Sequence, residues 1–86
     1  MLMVEGTIKE TYALGEKLMI PKATLLNSDL ENVSLFVFLQ MPSARIVNYT
    51  DHTEISFTQK GEYQLIFYAV DEEYNVFEKV YTFKVA

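Results

Sequence analysis

Cysteine is absent from the 86-residue chain, and with it go disulfides, thiolate metal sites and thiol catalysis. Stability has to come from packing alone. Histidine occurs once, at His52, so a Ser-His-Asp arrangement would have to be assembled around a single loop imidazole that no motif directs. Basic residues are few: seven Lys and Arg against twelve Asp and Glu give a net charge of −5, which repels phosphate backbones and anionic lipid surfaces. Nucleic acid is therefore not an expected partner. No apolar run approaches the roughly 20 residues of a membrane span, so no membrane insertion is expected. Met1-Leu2-Met3-Val4 is too short, and lacks the cationic start, for a signal peptide. If the parent protein is exported, its signal is expected outside this stretch.

What is present is a folding composition. Half of the residues are hydrophobic, and six Phe and six Tyr supply the aromatics. A chain of this size buries only about 60 to 65 percent of the surface its unfolded form exposes, which allows one core and one domain over residues 1–86. No convincing amphipathic helix of three turns appears; the best local case, 23–30, is interrupted by Asn27-Ser28-Asp29.

The dominant period is two. Residues 33–41 place Val33, Leu35, Val37, Leu39 and Met41 on one face and Ser34, Phe36, Phe38 and Gln40 on the other, and Pro42 ends the run. Residues 62–70 alternate Tyr63, Leu65, Phe67 and Ala69 against Gln64, Ile66, Tyr68 and Val70. Residues 76–85 form a third long alternating strand, still extended where the chain reaches Phe83-Lys84-Val85-Ala86. Shorter strands are expected at 4–9, 17–21, 45–49 and 54–58, with turn-rich segments between them. About seven short strands without helices predict an all-β, two-sheet antiparallel sandwich with Greek-key connections.

In such a sandwich a Tyr near the start of the sixth strand turns its ring inward, and its hydroxyl bonds back to upstream backbone. Gly61 and Tyr63 stand at that place, and Leu65 takes the next inward position. Asp71-Glu72-Glu73-Tyr74-Asn75 then reads as a hairpin loop, with Asp71 able to make an Asx-type bond and Tyr74 or Asn75 able to take a positive φ.

These residues carry a resemblance. "GEYQLIFYAVDEEYN", followed by an alternating strand ending in "FKVA", resembles the closing strands of bacterial immunoglobulin-like surface modules of the Big or HYR type, in which G-x-Y, Y-x-A-x-D and G-N recur. Upstream, Tyr12, Gly15, Glu16, Ile20, Pro21 and Ala23 in "YALGEKLMIPKAT" match an early strand of the same modules. Tyr74 departs from the usual Gly, and "QMPSARIV" from the commoner Pro-x-Gly turn. The resemblance implies an immunoglobulin-like β-sandwich, one module of a larger protein, serving as a non-catalytic spacer or interaction unit of a bacterial secreted or cell-surface protein. Neighbouring modules or a protein are then the partners. Alternatives are a carbohydrate-binding module of a polysaccharide-acting protein and a structural or decoration domain of a phage virion.

No catalytic residue, cofactor or metal site is assigned. Glu72 with Glu73, or Asp29 with Glu31, could contribute oxygens to Ca²⁺, but a site needs about six to eight and no acidic loop has the spacing. Asn32-Val33-Ser34 and Asn48-Tyr49-Thr50 match the N-glycosylation pattern and receive no role. The informative anomaly is that the long strands are apolar on both faces, where a water-facing side should be polar. Phe36, Phe38, Ile66 and Tyr68, extended by Tyr81, are therefore the candidate contact patch for a neighbouring module, a second copy or a glycan.

Overall fold

A computed structural model describes residues 2–25 and 33–86. Among these the chain is all-β, with nine strands and no helix: β1 (Leu2–Glu5), β2 (Thr11–Tyr12), β3 (Lys17–Met19), β4 (Lys22–Leu25), β5 (Ser34–Gln40), β6 (Ile46–Asn48), β7 (Glu54–Ser56), β8 (Gly61–Val70) and β9 (Val76–Val85). Five strands form one sheet in the order β2-β9-β8-β5-β6, and two-stranded sheets join β1 to β4 and β3 to β7. The three long alternating runs are the three central strands of the large sheet, where β-branched and aromatic residues pack best.

The count exceeds the expected seven by two: the strand expected at 4–9 lies at Leu2–Glu5 and is followed by the separate short β2, and a second early extended stretch is divided. Pro21 has no N–H to give to a ladder, so the expected strand 17–21 stops at Met19 and pairing resumes at Lys22. Its first part pairs with β7 and its second with β1. The turn-rich segment Asn27-Ser28-Asp29, like Asp29, Glu31 and Asn32, lies outside the described residues.

The expectation of a wholly antiparallel arrangement is corrected at β2. It runs parallel to β9, with Thr11 beside Lys84 and Tyr12 beside Val85. Lys84 N–H donates to Glu10 C=O (2.9 Å) and Ala86 N–H to Tyr12 C=O (2.8 Å). The chain leaves β1 of a small sheet and reaches the edge of the large one through Gly6, whose φ of +131° an L side chain rarely adopts. A turn made by two residues could not have reversed it; parallel neighbours need a long crossover, here nearly the whole chain.

One apolar cluster unites the three sheets. Tyr63, Leu65, Phe67 and Ala69 from β8, Leu39 from β5 and Phe83 and Val85 from β9 are buried with Leu18 from β3, Ile55 from β7, Leu2 from β1, Tyr12 from β2 and Phe57. Val33, Leu35 and Val37 pack against it half-buried. The face carrying the odd-numbered residues of β5, β8 and β9 is thus the inner one. Each large side chain fully buried there contributes about 1.5–3 kcal/mol. Rings interlock: Tyr12, Phe57, Tyr63 and Phe83 lie with centroids 5.3–5.6 Å apart, and Tyr63 stacks on Phe83 within 5° of parallel.

Candidate interaction face

The site is built on the even-numbered residues of the large sheet. Because β5 and β8 are antiparallel and in register without a bulge, Phe36 stands opposite Tyr68 and Phe38 opposite Ile66. Across to β9, Ile66 faces Val80, Tyr68 faces Glu78 and Val70 faces Val76. The four patch residues expected from the sequence therefore meet on one surface, the outer face of the sheet. Phe36 and Phe38 stack with centroids 6.2 Å apart, and Phe36 meets Tyr68 at 6.3 Å. All four are half-buried, each covered mainly by its cross-strand neighbours.

Tyr81 does not join them. It stands opposite Leu65 on the inner face, with its ring edge-on to Phe67 at 5.9 Å, because an odd position on β9 shares the core's side of the pleat. In its place the surface is extended by Val76 and Val80, 54% and 42% exposed, and by Ile46 at the sheet margin. The alternation of 76–85 already put the two valines on one side. Only the pairing shows which side.

Beyond Phe36 the surface falls into a depression of about 320 Å³ lined by Phe36, Asn48, Thr50, Asp51 and His52. Its polar wall is held in place. Asn48 Oδ1 accepts the Thr50 N–H (2.8 Å) and the Thr50 hydroxyl, and Thr50 Oγ1 accepts the Val37 N–H (3.1 Å). The His52 ring meets Tyr49 edge-on at 4.9 Å. Asn48, the acceptor of the second glycosylation pattern, is exposed here.

The structural residues sit away from this surface. Tyr63 is buried and its hydroxyl donates to the Gln59 C=O at 2.5 Å. Burial raises its pKa above the ordinary value. Gly61 opens β8 at a φ of +137°, and a side chain there would come within 2.7 Å of the Pro42 ring. In the hairpin, Asp71 Oδ1 accepts the N–H groups of Glu73 (2.9 Å) and Asn75 (2.8 Å), and Oδ2 accepts the Asn75 side-chain amide (3.0 Å). The Asn75 amide above all, then the two backbone N–H groups, hold the Asp71 carboxyl below its usual range. Of the two residues able to take a positive φ, Tyr74 does so, at +64°. Glu72 and Glu73 are exposed on this loop. Among the described residues no three His, Asp or Glu side chains converge as ligands for a metal ion, and no helix is long and apolar enough to cross a membrane.

No protein-family model, curated protein or solved structure matches the chain.

Proposed function

We propose that the chain is an immunoglobulin-like, non-catalytic interaction module of a bacterial secreted or cell-surface protein, and that it engages its neighbour through the outer face of the large sheet. The continuous row of Phe36, Phe38, Ile66 and Tyr68, prolonged by Val80 and Val76, carries the reading. A sheet face that met only water would gain by carrying polar residues there. Three features support the immunoglobulin-like assignment: an opening segment shared between two sheets, with β1 on one and β2 parallel to the last strand on the other; the β2-β9-β8-β5-β6 order; and the Tyr63 hydroxyl bonded four residues upstream. The described residues extend 40 × 23 × 19 Å, a rod suited to spacing.

Sedimentation equilibrium over a range of concentrations, at low and high salt, tests it. A species heavier than the monomer that survives salt, and that Phe36→Ser with Tyr68→Ser abolishes, makes this face an interface. A monomer throughout removes a second copy as its occupant.

The depression beside Phe36 favours a second reading, a carbohydrate-binding module. An aromatic ring flanked by Asn48, Asp51 and His52 offers a stacking surface together with hydroxyl-binding groups. Screening against a glycan array, with Phe36→Ala as the comparison, checks it: binding lost in the variant supports a sugar site, and no binding removes it.

A further inference from the structure

The last strand of the large sheet is paired along the whole of one side and along only a fraction of the other. On the β8 side β9 is matched from Val76 to Val85. On the opposite side β2 meets only Lys84 and Val85. Lys84 N–H bonds outward to Glu10 C=O, which fixes the direction of every second residue: the N–H and C=O groups of Val76, Glu78, Val80 and Thr82 also point outward. Among the described residues none of these groups has a backbone hydrogen-bond partner: β1 passes close to β9, but its ladder bonds go to β4. Such an edge is a template for one more strand.

The side chains decide which strand it takes. A second copy adding antiparallel about a two-fold axis has three registers near the middle of the open stretch. Using all four outward residues pairs Val76 with Thr82 and Glu78 with Val80 of the other copy, and it places Lys79 on the axis opposite its own equivalent. Lys79 is exposed, and directly opposed like charges are destabilising. Sliding one way puts Glu78 against Glu78 of the copy. Sliding the other way brings Val76 onto Lys84, whose outward groups β2 already holds. Each symmetric register is penalised. A strand presenting a carboxylate opposite Lys79, with apolar residues opposite Phe77 and Tyr81, meets none of these penalties.

We propose that the open edge of β9 is a strand-docking site that Lys79 closes to copies of this chain and opens to an extended segment of another chain carrying an acidic residue at the facing position. The ring of Tyr81, with Lys79 Nζ 5.7 Å from its centroid, helps keep the ammonium over the edge.

The probe is the chain itself with Lys79→Glu, which supplies a strand of matching length with a carboxylate at the facing position. Amide hydrogen exchange of Val76, Glu78, Val80 and Thr82 is followed in the wild type alone, in the variant alone and in their equimolar mixture. Expected is free exchange in both separate samples at every concentration, and exchange slowed by about tenfold or more in the mixture. Lys79→Thr alone should show the same slowing, because it removes the repulsion without needing a partner of opposite sign. Circular dichroism confirms that each variant is folded. Protection of these four amides in the wild type alone overturns the proposal, and so does unchanged exchange in both the mixture and Lys79→Thr. Association through the outer face would cover Val76 and Val80 as well, so the same exchange series is run in a Phe36→Ser, Tyr68→Ser background: slowing that persists there belongs to the edge, and slowing lost there overturns the proposal.

Discussion

Single residues carry most of the fold's specific instructions. Tyr63 combines a buried ring, stacked on Phe83, with one hydroxyl bond to the Gln59 carbonyl. Tyr63→Phe keeps the ring and removes the bond, so it should preserve the fold and cost about 1–2 kcal/mol in denaturant unfolding. Its raised pKa adds a pH dependence. A group whose folded pKa lies above its unfolded value contributes stability that is complete below the unfolded pKa and is lost as pH rises through the folded one. The wild type should therefore weaken above about pH 10, and Tyr63→Phe should weaken less over that range. Tyr74 poses the opposite case. It is 86% exposed yet held at a φ of +64°, where a non-glycine residue costs about 1–2 kcal/mol. Tyr74→Gly relieves that strain and adds some freedom to the unfolded chain, so thermal melts should show a net gain of about 0.5–1 kcal/mol.

Among the elements, the β8–β9 hairpin depends on one side chain. Asp71 closes the hairpin through three accepted hydrogen bonds, all of which favour its ionised form. A carboxyl with a depressed folded pKa contributes stability that is present above the unfolded pKa and disappears as pH falls through the folded one. Melting temperature should drop as pH falls below about 4, and the drop should be shallower in Asp71→Asn. Glu16 keeps part of the slope in that variant, because the Ala13 N–H and then Lys9 lower its pKa in the same sense. The Lys9–Glu16 and Lys17–Glu54 pairs themselves are exposed and contribute little.

At the scale of the whole molecule the margin is narrow. A domain of this size has a net stability of about 4–13 kcal/mol at roughly 0.05–0.15 kcal/mol per residue. Phe67 is 1% exposed at the centre of the only cluster seen among the described residues. Phe67→Ala should cost about 3–5 kcal/mol, enough to leave a large unfolded fraction that urea titration would detect. Phe36→Ala, on the other face of the same sheet, forfeits cross-strand contacts of about 0.2–1 kcal/mol each and should remain folded. That contrast separates the residues that hold the molecule together from those free to serve an outside partner.

Much of this could be read before any coordinates. Strict alternation in 33–41, 62–70 and 76–85 determined three long strands, and the absence of any helical period determined an all-β chain. Sorting Leu35, Val37 and Leu39 from Phe36 and Phe38, and Tyr63, Leu65, Phe67 and Ala69 from Ile66 and Tyr68, followed from the same period, since adjacent side chains must point to opposite faces; the register of β5 against β8 put the two sets on one side. Period alone is blind to pairing. Only the tertiary structure divided the early strand at Pro21 and laid β2 parallel to β9. It also sent Tyr81 inward, brought Val76 and Val80 beside Ile66 and Tyr68, and left four backbone positions of β9 without a strand partner among the described residues. The physical reason is that local sequence sets which side of a strand is apolar, whereas register, edge and neighbour are set by residues far apart in the chain, through hydrogen bonds and burial that exist only once the sheets have met.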